Sequence, residues 1–183
     1  MSKVDFNNEI IDEIKNFISA NNNKKLKETL KDIHYADIAE LIDNLNIDEA
    51  TYLIKLLKSD TTADALAEID DEKREKILKN LSAKEIAEEL TELDTDDAVD
   101  IISELPEERK ERVISQIEDD KHIEDIRELL TYDENTAGGL MAKELVKVNE
   151  NLSVLKCLNE MRSQAENVTR VHSIYVVDGK NKL

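Results

Sequence analysis

The stretch L-S-A-K-E-I-A-E-E-L-T-E-L-D-T-D-D-A-V-D-I-I-S-E-L, residues 81–105, decides the fold. Its leucines at 81, 93 and 105 stand twelve apart, and the spacing runs on in both directions without a slip. Ile33, Leu45, Leu57, Ile69, Leu81, Leu93, Leu105, Ile117 and Leu129 form one column of anchors. Eight positions after each anchor come Leu41, Leu53, Ala65, Ile77, Glu89, Ile101, Val113 and Asp125, a column broken at Glu89 and Asp125. Nine positions after come Ile42, Ile54, Leu66, Leu78, Leu90, Ile102, Ile114 and Ile126. With the next anchor these give the i, i+1, i+4 spacing of one helical face.

Each unit restarts with a helix-opening signal. Asn46, Asp70, Ser82 and Asp94 directly follow their anchors and are suited to cap free backbone N–H groups. Ser82 and Glu85 have capping-box spacing. Pro106 fits a first helical turn, and Glu107 and Glu108 suit its positive dipole end. One long straight helix is excluded by geometry. Three turns take about 10.8 residues, so a twelve-residue stripe drifts by about 120° per unit. Corners are required. The fold expected is mainly α, a superhelical array of short helices with a twelve-residue repeat, in which neighbouring units stack because none is stable alone. Before it, Val4 to Ala20 carries an amphipathic pattern (Ile10, Ile14, Phe17, Ile18) that predicts a helix capping the array.

After residue 130 the pattern changes. Thr131 to Met141 (T-Y-D-E-N-T-A-G-G-L-M) breaks the repeat with two adjacent glycines. Glu144 to Val148 alternates like a strand, Val154 to Met161 has helical spacing, and Ser173 to Val177 reads as a buried strand before the Asp178-Gly179 turn. The order β–α–β implies a small, incomplete α/β unit.

Composition agrees and narrows the function. Hydrophobic residues make 40% of the 183, enough for a core, while aromatics make 3%, so Leu, Ile, Val and Ala must build it. All three glycines fall at Gly138 or later, which fits a helical first part. A net charge of −18 excludes nucleic acid and anionic lipid as electrostatic partners and favours cations or a basic protein. With Cys157 the only cysteine, no internal disulfide forms. Neither a signal-peptide pattern nor an apolar run of about 20 residues is present, so a soluble, cytosolic chain with no direct membrane insertion is expected.

Catalytic signals are missing. His34, His122 and His172 lack metal-ligand spacing, and no phosphate loop, nucleophile elbow or acid–base pair occurs. His122, on the inner side, reads as a partly buried, satisfied histidine, and Cys157 as a packing residue. No enzyme and no cofactor-binding residue is expected. The acidic positions are more telling. Asp96 and Asp100 stand four apart, on one face of a helix, and Asp64 occupies the column of Asp100 three units earlier. Carboxylates so placed suit a hard divalent cation; a solvated acidic face is the alternative reading of the same residues.

The array containing A-D-I-A-E-L (36–41) and L-D-T-D-D-A-V-D (93–100), followed by T-A-G-G-L-M (136–141), resembles the MgtE-type magnesium transporters. That resemblance implies an N-terminal superhelical domain at 1–130, a linker at 131–141 and an incomplete cystathionine-β-synthase-like (CBS) module at 142–183. It implies a magnesium (Mg2+) site of Asp64, Asp96 and Asp100, with Gly139 approaching by its backbone. It further implies that CBS and pore domains lie outside these residues, that the longer protein is a possible homodimer, and that the chain sits at the cytoplasmic face of the membrane. The function expected is magnesium sensing: ions bring the acidic array onto the CBS pair and hold a pore closed. An acidic protein-interaction scaffold, similar to the middle domain of flagellar motor switch proteins, stands as the alternative.

Overall fold

The residues directly after Ile33, Leu45, Ile69, Leu81 and Leu105 open the helices that follow. In the computed structural model, which describes residues 8–57, 60–165, 168, 171 and 173–183, the order is α1 (Asn8–Ser19), α2 (Asn23–Thr29), α3 (Tyr35–Asp43), α4 (Ile47–Leu57), α5 (Asp60–Glu68), α6 (Asp71–Lys79), α7 (Ala83–Leu90), α8 (Thr95–Ser103), α9 (Glu107–Ile114), α10 (Asp120–Leu129), β1 (Val146–Asn149), α11 (Val154–Ala165) and β2 (Ile174–Val177). The amides of Leu45, Leu81, Leu93, Leu105 and Ile117 donate to the carbonyls three residues back, at 3.0–3.3 Å. These i→i−3 bonds tighten the last turn and satisfy carbonyls that an α-helix end leaves free. Asn44 and Asn80 keep right-handed backbone at two of these ends, so the corners need no glycine.

The caps follow the spacing. Asn46 and Glu49 exchange two bonds of 2.9 Å, a second capping box beside Ser82–Glu85. Asp70 accepts from Glu72 N at 3.0 Å. His34, in the same register, caps α3 by accepting from Ala36 N through Nδ1 at 3.2 Å. Pro106 is the N-cap of α9 rather than its first helical residue, one place earlier than expected. Val4 to Asn7 and His172 lie outside the described residues.

The nine-position column is buried from Ile42 to Ile126, and the anchors are buried except Ile33 and Leu57, which are half-buried. Glu89 does not leave the stripe: it is buried in place, 4% exposed. Helices pack on the next but one, α3 on α5, α4 on α6, α5 on α7 and α7 on α9, and α1 on α2 and α4. Cations reach across these layers to helix ends. Lys73 Nζ donates to the carbonyls of Asp43 (2.8 Å) and Leu45 (2.7 Å), and Arg109, thirty-six residues later, donates to Leu78 (3.1 Å) and Leu81 (2.7 Å). His122 Nε2 lies 3.1 Å from Leu90 O, the partly buried and satisfied state expected of it. Lys73 and Arg109 each place a positive charge at the negative end of a helix.

Glu85 supplies a pH test of the corners. Ser82's backbone N–H above all, with the Ser82 hydroxyl and Lys55 adding, holds its carboxyl well below the ordinary 4.5, at about 2. A depressed folded pKa gives stability that is present above pH 4.5 and lost as pH falls toward 2. Glu85→Gln is therefore expected to flatten part of the stability loss in that window; parallel wild-type and variant curves in acid titration of the helical signal would refute this.

The chain divides into two units, Met1–Leu93 with Asp97–Glu124, and Asp94–Asp96 with Asp125–Leu183. The second contains the β–α–β segment. Its strands pair in parallel, Val146 opposite Ile174 through Asn149 opposite Val177, as a connecting helix requires. The Gln164 side chain holds the Lys147 backbone on both sides, accepting from its N–H at 3.0 Å and donating to its carbonyl at 2.8 Å. One expectation is corrected here. β2 is not a buried strand: Ile174, Tyr175 and Val176 are 44%, 43% and 54% exposed, and only Val177 is buried. One strand and one helix, β2 and α11, pack against β1, whose Val146 and Val148 are buried, and leave most of β2 open. Cys157, half-buried on α11, directs Sγ toward Leu152 O at 3.8 Å.

Candidate metal-binding site

The sequence of α8, T-D-D-A-V-D-I-I-S, separates into two faces. Ala98, Val99, Ile101 and Ile102 are buried, none more than 7% exposed. Helical spacing then turns Asp96, Asp97 and Asp100 to the opposite side, where Asp96 is half-buried and Asp97 and Asp100 are exposed. Asp97 was not singled out from sequence. Its place one residue after Asp96 and three before Asp100 was the available signal. Asp96 and Asp97 lie in the first turn, where the helix dipole favours negative charge. Like charges at i, i+4 cost only about 0.2–0.5 kcal/mol on a solvated helix, so the face is tolerable without a cation and improved by one.

Asp100 has a second electrostatic neighbour. Arg74 is held above its ordinary range chiefly by its hydrogen bonds to Glu104, with the charges of Glu104, Asp71 and Asp100 adding. The guanidinium also donates to the carbonyls of Ala67 (2.8 Å) and Ile69 (3.2 Å). Part of the Asp100 charge is thus offset by the protein itself.

Asp64 is half-buried on α5. Gly139 lies in the 131–141 loop, where its amide donates to Thr136 Oγ1 at 3.2 Å. A Cβ there would meet Asp133 O at 2.3 Å, and one at Gly138 would meet the Tyr132 ring at 2.6 Å. Both glycines are required by the close approach of the loop to itself, whatever else Gly139 does. Among the described residues, no group of three or more His, Cys, Asp or Glu side chains comes together. The four candidates therefore form no closed cage in this chain. What remains is the Asp96–Asp100 pair, two hard carboxylates on one helix face; magnesium is commonly held by one or two carboxylates while keeping several waters.

Residues on the far side of the sequence hold the start of α8. Thr95, 0% exposed, donates to Glu144 Oε2 from its backbone N (3.1 Å) and from Oγ1 (2.9 Å). Its hydroxyl also accepts from Lys143 N at 2.9 Å. Lys143 Nζ in turn reaches Glu128 at 2.6 Å. No local pattern announces a contact 49 residues apart.

Residues 33–135 match the family model described as the MgtE intracellular N domain. A 52-residue stretch, 28% of this chain, is 42% identical to the magnesium transporter MgtE of Thermus thermophilus and spans 12% of that protein's length. Among solved structures, the fold is similar to the soluble part of a magnesium transporter, with a TM-score of 0.82 and 24% identity over 94% of this chain and 68% of that one. It is also similar to the cytosolic domain of the Mg2+ channel MgtE in complex with ATP, with a TM-score of 0.84 and 28% identity over 94% of this chain and 71% of that one. No described helix is long and apolar enough to cross a membrane.

Proposed function

The chain belongs to the family of MgtE intracellular N domains, and on that premise we propose that it is the cytoplasmic, magnesium-sensing part of a magnesium transporter. The observation that carries this reading is the outward acidic face of α8, inside the family match, built on a buried face that fixes its direction. Asp96 and Asp100, with Asp97 beside them, take up a hydrated Mg2+ ion; Asp64 and the backbone of Gly139 add to it where further domains complete the shell. Because these residues alone form no cage, the isolated chain binds weakly, with a midpoint on the order of 1 mM.

Sensing then follows from charge. Bound ions reduce the self-repulsion of a chain carrying −18 and let the array dock on the other domains of a longer transporter, CBS modules and pore. Removal of the ions restores repulsion and releases them, a population shift set by how much better the ion binds the docked state. The parallel β–α–β segment, with most of β2 open, supports reading residues 142–183 as the beginning of a CBS-like module. No catalytic step belongs to this account. The family match favours it over a flagellar motor-switch scaffold.

The test is a magnesium titration followed by amide NMR at constant ionic strength. Saturable shifts confined to residues 95–100, absent with sodium, are expected. Flat traces, or shifts spread evenly over all acidic surfaces, would overturn the reading.

A further inference from the structure

We infer that Thr95 and Glu144 are positioning residues for the acidic face of α8, a clasp that sets where Asp96 and its neighbours point. The inference rests on the sensing role proposed above and deepens it. An α-helix begins with N–H groups that have no partner within it, and a carboxylate is the strongest neutraliser of that end. At α8 this carboxylate is supplied by Glu144, not only by residues adjacent in sequence. One oxygen, Oε2, receives both the Thr95 amide (3.1 Å) and the Thr95 hydroxyl (2.9 Å).

The hydroxyl is used twice, since it also accepts from the Lys143 amide at 2.9 Å. Thr95 is wholly buried, which shields its side of these bonds from water. The segment that delivers them is tied down on its other side by the Lys143–Glu128 ion pair at 2.6 Å. Asp96 directly follows Thr95, so the clasp fixes the backbone from which the first carboxylate of the face departs. Hydrogen-bond partners that orient metal ligands typically matter about 10–100-fold in affinity, without touching the ion. Glu144 and Thr95 act one step removed from that, on the backbone that carries Asp96 and not on its carboxylate.

Thr95→Val separates positioning from charge, because it removes the hydroxyl and leaves every charge in place. In the full chain, with the magnesium-induced amide shifts of residues 95–100 as readout, Thr95→Val is expected to raise the midpoint about tenfold. Thr95→Ser, which keeps the hydroxyl, is expected to restore it to within about twofold. Hydrogen exchange, measured without magnesium, confirms that each variant retains the array and that the first turn of α8 opens faster in Thr95→Val and Glu144→Ala. A folded Thr95→Val chain with an unchanged midpoint would overturn the clasp while leaving sensing intact. A wild-type chain with no response would overturn both. Should Thr95→Val unfold the array, Thr95→Ala, which also leaves every charge in place, supplies the same test: a raised midpoint supports the clasp and an unchanged one refutes it.

Discussion

Arg74→Ala is expected to lower the stability of the helical array by about 3 kcal/mol, among the largest losses available from one side chain. The Arg74 side chain is only 8% exposed and forks onto Glu104, whose side chain is 24% exposed, and onto Asp71. The same guanidinium closes the end of α5 through the carbonyls of Ala67 and Ile69. Alanine leaves Glu104 partly desolvated without its partner and the carbonyls without a donor, two costs that add in the same direction. The lower end of the usual 3–5 kcal/mol range for breaking a buried pair applies, since Glu104 retains some contact with water. Urea unfolding followed by the helical signal measures it. Lys76→Ala on the same helix is the control. Lys76 pairs with Glu72 at 2.5 Å, but both are at least half exposed, so water and salt screen the pair and its loss is expected to be far the smaller. Equal effects of the two substitutions would contradict the distinction.

Ile102→Ala is expected to cost a similar amount, about 3 kcal/mol, for a different reason. Ile102 is 0% exposed and occupies the nine-position column that every unit buries. Truncation loses the transfer of its methyl and methylene groups and opens a cavity that stacked neighbours on both sides restrain from collapsing. The urea midpoint falls without a change of slope if the array still unfolds as before. A loss under about 1 kcal/mol would mean that the column is not a shared core.

That column was legible because short helices meeting at fixed corners bury the same two positions each time. The corners were legible in part. Ser82 and Asp70 announced themselves by residue type, whereas His34 did not, because histidine is an uncommon cap. The anchors were read as members of a helical face, yet Leu45, Leu81 and Leu105 lie just past their helices and close them with i→i−3 bonds. A period of twelve cannot tell these cases apart. Glu89 interrupted the stripe by type and not by burial. The β–α–β order followed from the switch of hydrophobic period, but the burial of β2 depended on neighbours that no local pattern describes.

The candidate site divides in the same way. The outward face of α8 could be read from spacing, since Asp96 and Asp100 are four apart. The contacts that act on that face could not: Arg74 lies far back in the sequence, and Glu144 is 49 residues from Thr95. The Gly138-Gly139 pair signalled a special backbone without saying which kind. Neither has positive φ, and both are demanded by close approach.

Calorimetric titration of Mg2+ into the wild-type chain and into an Asp96→Asn/Asp100→Asn variant tests the central claim most directly. The account predicts a saturable heat for the wild type, weakened at least about tenfold when both ligands lose their charge. Indistinguishable traces would show that magnesium does not recognise α8.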